Sequence, residues 1–225
     1  MTNKVDITII TVVYNGVDSL QRTIDSVVNI KDYNISFYII DGGSNDGTVD
    51  IIKNNSKNIT YWLSEPDKGI YDAMNKGWVK ASPNSYILYL GSGDEVVELP
   101  KNLDQYHNDE IIYGDVFLGE HKKFKSVVDW RTYLGNTIHH QAMLVKKSLH
   151  PSAPFSLDYK VYSDFDFNQR LVKKGAKFIK DDNFVSFALE GGVSENFNLK
   201  ECLEIVNKNY GSLMKFFSFL YFKLR

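Results

Sequence analysis

Phe37-Tyr38-Ile39-Ile40-Asp41-Gly42-Gly43-Ser44-Asn45-Asp46-Gly47-Thr48 is the stretch that decides the fold. An apolar run empties into a glycine-rich acidic turn, and Thr48 to Lys53 then reads as a short helix. The pattern recurs three times. Val5 to Val13 ends in Tyr14-Asn15-Gly16, and Thr60-Tyr61-Trp62-Leu63 is followed by Glu65-Pro66-Asp67-Lys68-Gly69. Tyr86 to Leu90 opens into Gly91-Ser92-Gly93-Asp94-Glu95. Nearly continuous apolar runs of this kind fit strands covered on both faces. A helix with the apolar stripe Leu20, Ile24, Val27 and Val28 separates the first two strands, so the opening is β-α-β and predicts a parallel sheet. In open α/β sheets ligands sit beyond the carboxyl ends of the strands, which is where all four polar turns fall.

Outward from this half, Asp18 with Gln21 three residues on is expected to cap the first helix. A helix starting at Gly69 turns Ile70, Ala73, Met74 and Gly77 inward, and Lys68, Asp72 and Asn75 share a polar ridge one turn apart. Beyond Pro100 the pattern loosens. Ile111 to Phe117 reads as a strand near a smaller antiparallel edge, Trp130 to Leu134 as a helical turn, and Ala142 to Val145 as a strand. A helix runs from Ser163 to about Lys174, with Gly175 as its stop. Lys177 to Ile179 and Phe184 to Ala188 read as two short strands. Leu199 to Asn209 and Ser212 to Leu224 are helices separated by Gly211.

The chain has 225 residues, enough for one full core. With 26 Lys and Arg against 28 Asp and Glu, the net charge of −2 gives no sign of nucleic acid as a partner. Cys202 is the single cysteine, which excludes an internal disulfide and fits a reducing compartment. No basic-then-apolar leader is visible, and no apolar stretch approaches the ~20 residues that span a bilayer.

The acidic turns carry the chemistry. Asp41 to Thr48 lacks the dinucleotide glycine spacing and any Gly-Lys-Ser/Thr phosphate loop. A carboxylate at a strand end suits a base edge or a ribose hydroxyl better than phosphate, so Asp41 is a candidate nucleoside contact, with Tyr14 offering an aromatic face. The plain alternative is a strand-to-helix turn with Asp46 as cap. At the next turn, Lys68 and the helix start at Gly69 point toward negative charge, against the reading of a capped helix with a solvated side. Ser163-Asp164-Phe165-Asp166 is a helix start, with Ser163 as N-cap and Asp166 as its capping-box partner. His139-His140-Gln141 either lines a pocket or closes a loop.

In this order, Thr11-Val12-Val13-Tyr14-Asn15, Asp41 to Thr48, Asp67-Lys68-Gly69, Gly91-Ser92-Gly93-Asp94 and Ser163-Asp164 resemble the inverting nucleotide-sugar glycosyltransferases of family two. The resemblance spans Val5 to about Gly192. It implies the GT-A fold, a mostly parallel α/β sheet flanked by helices with a smaller antiparallel edge. It further implies one catalytic domain over 1–210, with a nucleotide-binding half to about residue 98 and an acceptor half over 99–195. Thr11, Tyr14, Asn15, Asp41, Lys68, Gly69, Asp72, Asn75, Ser92, Gly93 and Asp94 are then the expected UDP-sugar contacts. His139, His140 and Gln141 would meet the acceptor. Asp94 would hold Mn²⁺ or Mg²⁺ on the diphosphate, with Gly93 standing where many relatives carry an aspartate. Asp164 falls on the family's general base, and Ser163 replaces the usual preceding glutamate. The Gln-x-x-Arg-Trp signature of processive relatives is missing, which implies one sugar per encounter.

The subgroup most similar builds bacterial O-antigen, capsule or exopolysaccharide units on a lipid diphosphate. This implies a lipid-diphosphate-linked saccharide acceptor and a cytoplasmic site at the inner face of the membrane. The tail 211–225 is rich in aromatic residues, and its charges Lys215, Lys223 and Arg225 are all positive. It reads as an interfacial helix on anionic lipid, or as a helix packing on the domain or on a second copy. Two rivals remain: a sugar-nucleotide-binding subunit without activity, which the lone carboxylate at Asp94 would suit, and a nucleotidyltransferase, which would release pyrophosphate.

Overall fold

The computed structural model describes residues 5–106, 110–120, 122–192 and 197–224. Its centre is β1 (Asp6–Val13), which pairs in parallel with β2 (Asn34–Asp41) on one side and with β4 (Tyr86–Gly91) on the other. β3 (Tyr61–Ser64) adds in parallel outside β2. The chain thus winds outward from β1 and returns to its other side, so the order reverses between β1 and β4. That reversal opens a crevice at their carboxyl ends.

Period-two alternation puts β1 into both layers of the core. Ile7, Ile9 and Val13 face α1 (Leu20–Val28) and α2 (Thr48–Asn54), whereas Ile10 and Val12 face α3 (Ile70–Lys80). Gly77 lets α3 lie close on β1, since a Cβ there would meet Ile10 Cγ2 at 2.5 Å. The expected cap on α1 does not form as read. Ser19, not Asp18, precedes the helix, and Gln21 instead reaches Asp25 within the same helix.

The second half completes a nine-stranded mixed sheet. β5 is Glu95–Glu98, β6 is Glu110–Leu118, β7 is Lys122–Phe124, β8 is Met143–Lys146 and β9 is Lys177–Ala188. β8 lies antiparallel to both β4 and β6, while β9 runs parallel to β6 and antiparallel to β5. Two expectations change here. The short strands at 177–179 and 184–188 are one strand, whose register against β6 shifts between Tyr113 and Asp115. β5, which lacks a recognisable apolar run, forms because β9 supplies its partner.

α4 (Ser163–Lys173) packs Phe167 and Leu171 toward the sheet and Phe165 toward α5 (Leu199–Tyr210). α6 (Ser212–Lys223) packs only one side. Ser218 donates to the Leu134 carbonyl at 2.6 Å, and Phe222 lies against Gly135. Leu213, Phe216 and Phe217 of α6 stay exposed. No helix among the described residues is long and apolar enough to cross a membrane. Gly191-Gly192-Val193-Ser194, which in sequence reads as a lid or as a turn, lies partly outside the described residues, and Arg225 lies outside them.

Candidate active site

The crevice begins at the turn after β4. Gly93 adopts φ 95°, a left-handed conformation that glycine enters without steric cost. Asp94 closes the turn. Its Oδ2 accepts the Gly91 N–H at 2.7 Å and its Oδ1 the Leu189 N–H at 2.9 Å, from the end of β9. Thr23 of α1 braces the turn through the Gly93 N–H and the Asp94 carbonyl. Only 5% of Asp94 is exposed. Burial raises its carboxyl above the usual carboxylate range, against the lowering effect of the two N–H donors, His140 and Gln141.

Antiparallel pairing delivers the next residues. Tyr86 of β4 faces Lys146 and Ile87 faces Val145, so the chain preceding β8 arrives beside the carboxyl end of β4. One 3₁₀ turn, His140–Ala142, lies there. Gln141 Nε2 donates to Asp94 Oδ2 at 3.2 Å. His140 Nδ1 stands 3.3 Å from Asp164 Oδ2. Adjacent residues of one turn therefore contact the carboxylates of Asp94 and Asp164, which lie 70 positions apart along the chain.

Asp164 sits in the first turn of α4 and is 6% exposed. Oδ1 accepts the Phe165 N–H at 2.8 Å and faces the Tyr71 hydroxyl at 3.2 Å. The single Tyr71 proton is shared with the Val161 carbonyl at 2.7 Å. Asn136 Nδ2 approaches Oδ2 at 3.4 Å. Burial pushes the Asp164 carboxyl up, but His140 hydrogen bonding, the His140 and His139 charges and the Phe165 N–H outweigh it and hold it below the usual range.

The capping box expected at this helix is absent. Ser163 is already helical and donates to the Ser156 carbonyl at 2.8 Å, and Asp166 accepts from Arg170 and Asn209. His139 points differently from His140. It packs edge-on against Phe124, with centroids 4.4 Å apart, and burial pushes its imidazole down to about 4.

The nucleoside side is redrawn. Asp41 is fully buried, and its carboxylate accepts from Gly43 N–H, Ser44 N–H, the Ser44 hydroxyl and the Ser64 hydroxyl. It binds its own turn, so the reading of Asp41 as a group open to a ligand does not fit this conformation. Thr11 lies fully buried in β1 between Ile39 and Leu90, with Oγ1 unpaired, and is closed to a ligand in the same way. Asn15 ties the first turn to the second through Ser44 and Asn45. Tyr14 remains 66% exposed. A Cβ on Gly42 would stand 2.5 Å from Asp67 Oδ2 and 3.4 Å from the Tyr14 ring, so Tyr14 and Asp67 flank the same spot.

Along α3 the expected ridge divides. Asp72 accepts the Lys68 N–H at 3.0 Å and pairs with Lys76, and Asn75 holds Phe155 through its N–H and carbonyl at 3.0 and 2.8 Å. Asn75 is thus engaged with Phe155 in this conformation. Gly69 takes φ 108° at the helix start, and its N–H goes to Asp67 Oδ1. Lys68 is exposed, and its ammonium makes no ion pair among the described residues. Ser92 and Ser19 share a hydroxyl contact of 2.8 Å beside the first turn.

Sequence reading missed Tyr71, Asn136 and Leu189. A tyrosine in the first turn of a helix with a buried ring needs a partner for its hydroxyl, which was the one signal available. No group of three or more His, Cys, Asp or Glu that could hold a metal occurs among the described residues. A carboxylate offers about four acceptor positions. Three are taken on Asp94, so the set fits a cation at one coordination position, with phosphate oxygens and water as the remaining ligands.

Known proteins share this architecture. A glycosyltransferase of Mycobacterium bovis described as "PGL/p-HBAD biosynthesis glycosyltransferase" is 28% identical over 199 residues, covering 82% of this chain and 77% of that protein. An uncharacterised glycosyltransferase of Mycobacterium tuberculosis is 41% identical over 96 residues, 42% of this chain and 36% of its own. Residues 1–349 of Staphylococcus aureus TarS in complex with UDP-GlcNAc superpose with a TM-score of 0.68 at 15% identity, over 89% of this chain and 64% of that one. The mannosyltransferase PcManGT of Pyrobaculum calidifontis, in complex with GDP-Man and Mn²⁺, gives 0.61 at 14%, over 83% and 57%. These neighbours share the GT-A fold. The family model described as "Glycosyl transferase family 2" matches residues 8–157, and the chain belongs to that family.

Proposed function

We propose that the chain is an inverting, non-processive glycosyltransferase that moves a hexose or N-acetylhexosamine from a UDP-sugar to a hydroxyl of a lipid-diphosphate-linked saccharide. One observation carries this reading: the His140–Ala142 turn brings the donor-side carboxylate Asp94 and the acceptor-side carboxylate Asp164 to adjacent residues. Inversion needs a single displacement, so a proton acceptor near Asp164 suffices and no nucleophilic side chain is required. General-base help is commonly worth ~10²–10⁴ in rate. Tyr14 would face the base and Lys68 the diphosphate. Asp94 would be the protein's ligand to Mg²⁺ or Mn²⁺. Such an ion, when bound, offsets charge on the departing diphosphate.

The lipid side rests on α6. An apolar groove of about 610 Å³ runs between the 3₁₀ turn Trp130–Tyr133 and α6, lined by Trp130, Tyr133, Leu134, Phe217 and Tyr221. Two residues past Leu134, Asn136 reaches Asp164. The charges of α6 are the cations Lys215 and Lys223, which suit the anionic inner face of a bacterial membrane.

The test is a donor screen that follows UDP release, with and without synthetic lipid-diphosphate sugars. Release should depend on acceptor, fall with chelator and return with Mn²⁺ or Mg²⁺. UDP binding without turnover on any acceptor would instead favour a binding subunit.

A further inference from the structure

The turn after β4 gives a cation little to hold. Gly93 carries no side chain, and Glu95, the next acid, is paired with Arg22 of α1, which leaves Asp94. Two of the Asp94 donors are backbone N–H groups at 2.7 and 2.9 Å, fixed by the turn itself and by the end of β9. Gln141 Nε2, at 3.2 Å, is the longest contact of the three and sits on a side chain that can turn. The other end of that amide is out of place. Gln141 Oε1 is sealed from solvent and has no hydrogen-bond partner among the described residues. The Gln141 side chain does bear on the His139 imidazole, raising its pKa against the burial that lowers it, yet no N–H meets Oε1 in hydrogen-bond geometry. A buried acceptor left unpaired costs about 1–3 kcal/mol. The two ends of an amide are nearly the same shape, so turning it over exchanges them in place. Turned over, Gln141 would set Oε1 where Nε2 now stands, 3.2 Å from Asp94 Oδ2. Two acceptors have nothing to share at that distance unless a cation binds both. Neighbouring oxygens on an octahedral ion, each at about 2.1 Å, stand about 3 Å apart.

We propose that Gln141 Oε1 is a second protein ligand to the divalent ion held by Asp94, in place of the carboxylate that Gly93 lacks. The inference rests on the transferase reading above and deepens its metal site. An amide suits this position in a way that a carboxylate does not. Without the ion its N–H satisfies Asp94, and with the ion its oxygen supplies a hard neutral donor of the kind Mg²⁺ and Mn²⁺ accept. A glutamate would repel Asp94 whenever the ion is away. With one protein carboxylate instead of two, the ion should bind chiefly together with the diphosphate of the nucleotide. Gln141 follows His140, so ligation would also fix the turn that meets Asp164.

The test reads the metal itself, in the full chain saturated with UDP and with Mn²⁺ as the probe. The EPR signal of free Mn²⁺, corrected for what UDP alone takes up, should show wild type binding the ion and Asp94→Asn losing it. Gln141→Leu should bind it about tenfold more weakly or worse. A residue that merely orients a ligand can cost as much, so ligation is also read directly. With glutamine ¹³C-labelled at its side-chain carbonyl, pulsed ENDOR of the bound Mn²⁺ should show a carbon coupling that Gln141→Leu removes at higher Mn²⁺. No such coupling in wild type overturns the proposal, as does Mn²⁺ binding by Gln141→Leu within about threefold of wild type. Gln141→Glu decides the matter if the leucine variant does not fold. Its melting temperature should fall without the ion, because two carboxylates then face each other, and should rise further on adding Mn²⁺ and UDP than that of wild type. An equal or smaller rise overturns the proposal. A wild type that binds no Mn²⁺ beside UDP removes the metal from the transferase reading as well, which separates that failure from one confined to Gln141.

Discussion

Gln141 Nε2 lies 3.2 Å from Asp94 Oδ2, one residue along from the histidine that meets Asp164. This places the buried carboxylate at the end of β4 under the control of a turn from the second half of the chain. Among the described residues Asp94 has three donors, of which Gln141 is the only side chain. Removing that donor takes one of the two hydrogen bonds from Oδ2, and a hydrogen bond to a charged group contributes about 1.5–3 kcal/mol. Gln141→Leu should therefore lower the urea midpoint, and Asp94→Asn combined with it should lose less than the two single changes added together. Full additivity in that double-mutant cycle would show that the contact carries no coupling.

Much of this arrangement was legible in the chain. β1, β2 and β4 are buried on both faces, so they read as continuous apolar runs, and their ends are marked by glycine and acid. β5 was not legible, because Glu95-Val96-Val97-Glu98 becomes a strand only through a partner some ninety residues away. β9 read as two strands because Lys180-Asp181-Asp182-Asn183 breaks the apolar pattern where the register shifts. Asp41 and Thr11 read as ligand contacts, yet in this conformation one is held by its own turn and the other lies inside the sheet. A strand end open to ligand and one sealed by its own turn have the same sequence, and only the Ser44 and Ser64 donors distinguish them. The partners of Asp164 are drawn from Tyr71 and Asn136, separations that leave no local signature.

Gly93 explains why a second carboxylate is absent from the turn. Its φ of 95° and the space above it both oppose a side chain, since a Cβ would lie 2.4 Å from Leu189 Cδ2 and 3.2 Å from Ser19 Cβ. Gly93→Asp should accordingly destabilise the fold by about 1–3 kcal/mol, read as a lower melting temperature. The same variant at unchanged stability would mean that Leu189 and the turn reshape freely.

His139 sets an acid limit on stability. Burial holds its folded pKa at about 4, below the ordinary 6.5. Between those values the unfolded chain binds the proton and the folded chain does not. The contribution is therefore complete above pH 6.5 and is lost as the pH falls toward 4, with a total on the order of 3 kcal/mol. His139→Phe, which keeps an aromatic contact with Phe124, should flatten this part of the profile. Unfolding midpoints in urea at pH 7 and pH 4.5 for both proteins measure it, and parallel profiles would remove His139 as the cause.

The exposed side of α6 separates membrane attachment from folding. Ser218 and Phe222 hold the helix to Leu134 and Gly135, while Leu213, Phe216 and Phe217 face outward. Exposed substitutions away from such contacts usually change stability by less than about 0.5 kcal/mol. Leu213→Ser, Phe216→Ser and Phe217→Ser together should leave the melting temperature nearly unchanged and cut co-sedimentation with anionic vesicles at least about tenfold, because each apolar side chain withdrawn from lipid forfeits on the order of 1.5–3 kcal/mol. Lys215→Gln with Lys223→Gln should weaken binding to anionic vesicles more than to neutral ones, by about 1 kcal/mol for each lysine. Undiminished sedimentation of the triple variant would place the lipid contact elsewhere on the molecule.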